Sequence, residues 1–290
     1  WGQMSFWGAQ VIINLFSTIP FIGEDLAIWI RGDFAISDPT LTRFFALHIV
    51  AVPMLLLLLV LLHLAALHTV GSNNPDGVEI KDHKDKNGVP LDGVPFHPYY
   101  TIKDMVGIGV FLFIFSIVVF YAPEMGGYFL EHANFVPANA LVTPEHIAPV
   151  WYFTPFYSIL RAIPDPQFGA LAMLLSIIVL FFLPWIDTNP IKSIRYRSTL
   201  FKVNLFIFVI AFMILGWLGV KAVTPLYSEL ALRFSQVYFL FFILLYFYSS
   251  SRNKIFTYIF TATILGIIFI YDFFRFAGAD LTYLSVGFLS

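Results

Sequence analysis

The longest uncharged stretch of the chain covers residues 44–67, and it is the feature that most limits how the chain can fold. A helix rises about 1.5 Å per residue, so this stretch is long enough to cross the hydrocarbon core of a bilayer. It nevertheless contains two imidazoles, at His48 and His63. We therefore predict a membrane-spanning helix that carries two titratable side chains within it.

The composition of the whole chain supports a membrane protein. Hydrophobic residues make up 59% of the sequence and charged residues only 12%, which differs strongly from the composition of soluble domains. The predicted fold class is all-α, a polytopic transmembrane helical bundle with interfacial amphipathic helices. A net charge of -2 gives no reason to expect nucleic acid as a partner, and the absence of Cys excludes disulfides and cysteine-ligated iron–sulfur clusters within this chain.

The spacing of the imidazoles indicates how they are arranged. His48 and His63 are 15 residues apart, which in a uniform α-helix leaves them about 60° apart around the axis and about 22 Å apart along it. They therefore share a face near opposite membrane surfaces. His68 lies five residues beyond His63, turned away from that face at the helix exit.

Two interpretations of these imidazoles follow from the residues alone. Ionisable groups inside a membrane are costly and usually mark a function. Neutral imidazole is a common axial ligand of haem iron, so two of them on one helix suggest two haems, although a bis-histidine haem needs a second histidine from another helix. Alternatively, both histidines hydrogen-bond neighbouring helices and relay protons in a transporter without haem.

The remaining sequence divides into regions of different character. Residues 1–40 predict amphipathic helices at a membrane surface, with one ending near Pro20 and a second over 25–31. Residues 41–121 hold the histidine-bearing helix, a polar loop and the next span. The proline-rich region 122–168 cannot be one helix and predicts an interfacial flap. The second span of the 41–121 region is predicted at 105–121. The region 169–250 predicts three C-terminal spans, at 169–186, 203–220 and 234–248, and the region 251–290 predicts a possible extra span at 255–271 and a tail.

The distribution of Lys and Arg predicts the orientation in the membrane. Loops at 71–103, 187–202 and 249–254 contain ten of these residues, and the opposite side contains six. The positive-inside rule then places the first group in the cytoplasm of a bacterium. His48 accordingly lies near the outer face and His63 near the inner face.

Several motifs occur in an order that resembles one known family. They are residues 43–48, His68 followed by 71–75, residues 96–104, and the Pro-x-Trp-Tyr element at 149–152. From residues 1–9 to about residue 248 the chain resembles cytochrome b of the cytochrome bc complex, quinol:cytochrome c oxidoreductase. Its loops are similar to those of bacterial, particularly proteobacterial, members.

The resemblance implies two b-type haems and two quinone sites. His48 would ligate the low-potential haem near the outer face, His63 the high-potential haem near the inner face, and Arg43 would neutralise a haem propionate. The residues implied at the quinone-reduction site are His68, Ser72, Lys103 and Asp104. Those implied at the quinol-oxidation site are Gly8, Pro149, Trp151, Tyr152 and Tyr157.

The sequence departs from the family pattern in three ways. The family has helices ahead of the position of Trp1 that carry the partner histidine of each haem, so we expect a truncated or separately encoded upstream segment. The spacing from His48 to His63 is one residue longer than in most mitochondrial relatives, and Pro53 offers a place for local adjustment. Val150 stands where the family often has a carboxylate that accepts a quinol proton, and Glu145 is the nearest substitute.

The resemblance also implies an activity and its surroundings. The subunit would oxidise quinol at the outer face, reduce quinone at the inner face and couple electron transfer to proton translocation in the bacterial inner membrane. Implied partners are a Rieske iron–sulfur protein, a cytochrome c-type haem subunit, quinone, lipids and a second copy of the complex. The alternatives are a haem-free proton-coupled transporter, a relative from a photosynthetic-type complex, and a scaffold subunit without haem.

Overall fold

The computed structural model describes residues 2–128, 130–144 and 147–249, together with Thr263 and Gly266. The predicted proton acceptor Glu145 lies outside the described residues, as does the apolar run at 255–271 apart from those two positions. Within the described part the chain forms no β-strand, only two isolated bridges, so the predicted all-helical class is confirmed.

The described chain contains ten α-helices joined by short turns of other helical types. Turns of 3-10 helix cover Ile80–Asp82, Met125–Gly127, His132–Phe135 and Ile194–Tyr196, and five-residue π-helical turns cover Leu47–Ala51, Phe96–Tyr100 and Ile117–Tyr121. The α-helices are α1 (Gly2–Ser17), α2 (Gly23–Arg31), α3 (Asp38–Ala46), α4 (Val52–Val70), α5 (Thr101–Ser116), α6 (Thr154–Ala162), α7 (Pro166–Phe181), α8 (Leu183–Ile186), α9 (Thr199–Gly219) and α10 (Pro225–Ser249).

Among the described residues, four continuous helices are long and apolar enough to cross a membrane by length and composition. They are Asp38–Val70, Phe96–Tyr121, Thr199–Gly219 and Pro225–Ser249. Each contains most or all of one span predicted from the sequence. The span predicted at 169–186 is instead divided into α7 and the short α8, because Pro184 has no N–H to donate and its ring crowds the preceding turn.

The chain forms two compact units, and the first comprises Trp1–Trp151 and Asp165–Ala170. Its small core packs α1 to α3 around the buried side chains of Ile13, Ala27 and Ile36. The turn between α1 and α2 is tight at Gly23, where any Cβ would collide with the carbonyl oxygen of Ser17. Only glycine therefore allows α2 to begin there, and the two amphipathic helices predicted at 1–40 are both present.

The start of the first spanning helix is fixed by side-chain hydrogen bonds. The N–H of Ser37 donates to the Thr40 hydroxyl at 3.3 Å, and Pro39 lies in the first turn. The fully buried Thr40 hydroxyl also donates to the carbonyl of Arg31 at 2.6 Å, which ties this start to the end of α2. The surface helices thus determine where the histidine-bearing helix begins.

The second unit comprises Tyr152–Pro164 and Leu171–Ser290, and its described part packs α6, α9 and α10 together. Phe208 stacks on Phe241 with ring centroids 4.2 Å apart, next to the fully buried Tyr238. Gly219 allows α9 to approach α6 closely, because a Cβ there would collide with the carbonyl of Thr154. The loop before α9 is held by a bidentate ion pair in which Arg197 donates to both Asp187 oxygens, at 2.8 and 2.9 Å.

Candidate functional site

The two imidazoles of the first span lie in different helical geometry. His48 is within the π-helical turn Leu47–Ala51, and His63 is within the regular helix α4. The N–H of Val52 donates to the carbonyl of Leu47, five residues earlier, directly before Pro53. A proline ring clashes with the carbonyl four residues before it, and widening the helix by one residue relieves that contact.

This turn corrects the angular relation that a uniform helix predicts. A π turn closes on the fifth residue instead of the fourth, so it uses one residue more for the same turn. The 15 residues from His48 to His63 therefore act as 14 α-helical steps, and the offset is about 40° in the opposite sense instead of about 60°. Both imidazoles still share one face, and the predicted adjustment beside Pro53 is present.

Neither imidazole is engaged by the protein around it. His48 and His63 are both exposed, and α4 contains no buried residue. Within the described part of the chain neither forms a hydrogen bond or an ion pair. An imidazole in an apolar span without such a partner is suited to ligation, since a metal-bound nitrogen loses no hydrogen bond.

Arg43 lies one helical turn before His48 and binds the end of α2. Its Nη1 donates to the carbonyls of Trp29 and Ile30, and the guanidinium covers Gly32, whose φ of +77° ends α2. Its Nε and Nη2 have no acceptor within the described residues. The side chain is thus held near the N-terminal end of the span Asp38–Val70 with donors available for an anionic group.

The residues predicted at the inner face lie at the two helix ends that the polar loop connects. His68 is in the last turn of α4, whereas Lys103 and Asp104 are in the first turn of α5. Consecutive spans run in opposite directions, so these ends face the same membrane surface. Along with Ser72 all are exposed, and no hydrogen bond or ion pair joins them within the described residues.

The loop after α4 contains two ordering residues to which the motif comparison gave no role. Lys81 donates from Nζ to the carbonyl of Thr69 at 3.1 Å and thereby caps the C-terminus of α4. Asn74 accepts from the N–H of Val78 at 3.0 Å and donates back to its carbonyl at 2.6 Å. The Gly-Ser-Asn-Asn-Pro signal indicated a turn, but no local pattern indicated that Lys81 reaches back over 12 residues.

In the first unit, α1 is tied to the loop ahead of the Pro-x-Trp-Tyr element. Trp7, 1% exposed, donates from its indole N–H to the carbonyl of Val142 at 3.2 Å. An added Cβ at the neighbouring Gly8 would meet no described atom within 4 Å. The α1 backbone is therefore open at Gly8, beside the tryptophan that anchors the loop.

The residues of the Pro-x-Trp-Tyr element and Tyr157 on α6 differ in their exposure to solvent. In the first unit Pro149 is half-buried and Trp151 is 82% exposed. In the second unit Tyr152 is 61% exposed, whereas Tyr157 is half-buried on α6 with the guanidinium of Arg161 stacked 4.7 Å from its ring centroid. Sequence reasoning missed Arg161, although its spacing of four residues from Tyr157 places both on one helix face.

The available donor atoms fit haem better than a bare metal ion. No group of three or more His, Cys, Asp or Glu side chains that could hold a metal ion occurs within the described residues. His48 and His63 are single nitrogen donors on an apolar helix. Each of them could supply one imidazole nitrogen to a haem iron.

The fold and these sites define a multi-pass helical membrane protein with isolated imidazoles on one span and polar groups at its ends. Residues 1–155 match the family model described as "Cytochrome b(N-terminal)/b6/petB", and residues 137–239 match "Cytochrome b(C-terminal)/b6/petD". The chain belongs to the cytochrome b family. The resemblance predicted from the motifs is confirmed, and membership implies binding of b-type haem.

Individual relatives agree with this assignment. The chain is 55% identical over 258 residues to cytochrome b of Allochromatium vinosum, a match that covers 86% of this chain and 62% of the relative. It is 50% identical over 240 residues to cytochrome b of Rickettsia prowazekii, covering 82% and 57% respectively. A solved hyperthermophilic respiratory complex III contains a chain with a TM-score of 0.76 and 36% identity, covering 86% of this chain and 64% of that one. This chain thus spans about three fifths of the length of the relatives it matches.

Proposed function

We propose that this chain is part of the cytochrome b subunit of a respiratory bc complex in a bacterial inner membrane. The subunit acts within a quinol:cytochrome c oxidoreductase, oxidising quinol at the outer face and reducing quinone at the inner face while protons cross the membrane. One observation carries the proposal: two imidazoles without protein partners share one face of a single span. The family membership and the likeness to a complex III chain support it.

His48 and His63 each hold one haem, near the outer and inner ends of the span respectively. When bound, the b-type haems supply the one-electron carriers between the two membrane faces. A ligating imidazole must be neutral and directed at the haem iron. The regular helix α4 supports the required direction at His63, and the π turn supports it at His48. Arg43 balances the charge of a propionate with the donors that α2 leaves available.

The groups at the inner face bind quinone and deliver protons. His68 and Asp104 hydrogen-bond the two carbonyl ends of the ring, and Ser72 and Lys103 complete the polar surroundings. These helix ends are exposed, so the imidazole and carboxylate can exchange protons with the cytoplasm. Lys81 and Asn74 support the site indirectly, because they order the loop that follows His68.

The groups at the outer face bind quinol. Gly8 leaves the α1 backbone accessible to the flat ring, and Pro149 and Trp151 shape the neighbouring loop. Tyr152 and Tyr157 provide further aromatic surface. Valine at position 150 has no group that can accept a proton, so we assign that role to Glu145.

The same proposal names the partners. The two electrons of quinol leave separately, and a Rieske iron–sulfur protein followed by a cytochrome c-type haem subunit accepts the one that does not enter this chain. Lipids surround the exposed apolar faces of α4 and α5, and the complex forms a homodimer. The partners are supported by the complex III likeness.

The test is a pair of ligand variants in the complete complex. His48→Leu and His63→Leu should each remove roughly half of the b-type absorbance in a reduced-minus-oxidised spectrum and abolish quinol oxidation. His83→Leu is the control, because that imidazole contacts the carbonyl of Glu79 in the polar loop. If both ligand variants kept the full b-type spectrum, or if the unmodified complex showed none, the function would be wrong and a haem-free transporter would become the better reading.

A further inference from the structure

Arg161 has an unusual position among the cations of the second unit. It lies near the end of α6, and its Nη2 donates to the carbonyl of Leu218 at 2.8 Å and to that of Lys221 at 3.1 Å. The Leu218 carbonyl lies in the last turn of α9 and the Lys221 carbonyl lies two residues beyond its end, where a helix carries a partial negative charge. The guanidinium therefore fastens α6 to the end of α9.

The remaining surface of the guanidinium is directed at an aromatic ring. Its central carbon lies 4.7 Å from the centroid of the Tyr157 ring, within the range of a cation–π contact. Because Arg161 is held by two carbonyls of a different helix, the ring is packed against a fixed cation instead of a mobile one. The close approach of α9 to α6 at Gly219 makes this arrangement more rigid still.

The surroundings of Arg161 indicate that its charge does not bind a ligand. A cavity of about 10 Å³ lies beside it, lined among others by Ser158 and Tyr227. Such a cavity accommodates one water molecule and no anion. Ser158 Oγ and Arg161 Nε are buried without a protein partner within the described residues, which is the polar lining that a single water requires. The protein itself thus uses the guanidinium.

We propose that Arg161 is a positioning residue that sets the orientation of the Tyr157 ring for quinol binding, and this inference rests on the quinol-oxidation role proposed above for Tyr157. The planar guanidinium can stack on the ring and donate to the α9 carbonyls at the same time. Lysine carries the same charge on a single ammonium group and cannot do both.

The test measures the quinol KM and kcat of the complete complex. Arg161→Lys should raise the quinol KM roughly 2- to 30-fold, the range of a cation–π contact, with little change in b-type absorbance or kcat. Tyr157→Leu should also raise the quinol KM, and in that background Arg161→Lys should raise the KM no further. In a Tyr157→Phe background, which keeps the ring, Arg161→Lys should retain its full effect.

Two further variants keep the test decisive. Lys221→Gln is the matched control, because its ammonium lies 5.0 Å from the Trp217 ring at the same end of α9, and it should leave KM unchanged. If Arg161→Lys does not assemble, Arg161→Gln, which keeps a planar donor, replaces it and should show the same dependence on the ring at position 157.

The outcomes separate the inference from the function on which it rests. The positioning role is wrong if Tyr157→Leu raises KM and Arg161→Lys raises KM by its full factor in that background as well. It is also wrong if Arg161→Lys lowers only the amount of assembled complex. In both cases the proposed function stands. If Tyr157→Leu leaves KM unchanged while the haem ligand variants behave as expected, the quinol role of Tyr157 fails and the inference fails with it.

Discussion

The helices α4 and α10 are both long and apolar, yet the chain uses them in opposite ways. None of the most apolar window of the first span is buried within the chain, whereas 39% of the corresponding window of α10 is buried. The buried side chains of α10, such as Tyr238 and Phe242, pack against α9 and α6. No side chain of α4 is buried.

This difference shows that hydropathy alone does not indicate what a spanning helix contacts. In the second unit apolar side chains stabilise the fold through helix–helix packing, where the volume of each position matters. In the span Asp38–Val70 the same kinds of side chain leave two imidazoles accessible, and what matters is the angle between these imidazoles around the helix axis. A change in α4 should therefore affect the cofactor, and a change in α9 or α10 should affect stability.

The largest effect should come from changing the register of α4. Deleting Leu57, in regular helix, would leave 13 effective steps between His48 and His63 and place them about 140° apart, so one haem should be lost. Deleting Val50 should instead convert the π turn to α-helix, keep 14 steps and keep both haems. The reduced-minus-oxidised spectrum of the complete complex measures both results. Equal spectra for the two deletions would contradict the role of the π turn.

A smaller effect should follow from adding one methyl group to each region. Gly219→Ala should lower the stability of the second unit by about 1–3 kcal/mol, because the new Cβ collides with the Thr154 carbonyl of α6. Gly107→Ala in α5 is the matched control, since nothing lies within 4 Å of the added atom. The thermal unfolding midpoint of the purified protein measures both. If Gly107→Ala lowered the unfolding midpoint more than Gly219→Ala, the predicted difference between the two regions would be wrong.

The smallest effect should come from removing one hydroxyl. The buried Tyr238 donates to the carbonyl of Ser176 at 2.7 Å, so Tyr238→Phe should cost about 1 kcal/mol. Tyr121, at the end of the second span, is 85% exposed, and Tyr121→Phe should leave the unfolding midpoint unchanged. If the two variants have the same midpoint, the Tyr238 hydrogen bond does not contribute to the packing of α10.

Much of the fold could be predicted from the sequence because membrane spans depend on local composition. The uncharged run around His48 and His63 predicts its own helix, and the Gly-Ser-Asn-Asn-Pro turn predicts where that helix ends. The division between α7 and α8 was missed, although Pro184 was visible, because an apolar run continues through it. The site residues remain assignments by motif, supported by their positions at helix ends and on one face.

By itself the sequence determined the helical class, four of the spans, the positions of the two imidazoles and the membership of the chain in the cytochrome b family, since each is carried by composition or by short motifs in order. Only the tertiary structure decided that Lys81 caps α4, that Trp7 holds the loop at Val142, and that Arg161 joins Tyr157 to the end of α9. The physical reason is the same in each case. Such contacts join residues that are distant in the chain, and a local pattern carries no information about which distant carbonyl a donor will reach.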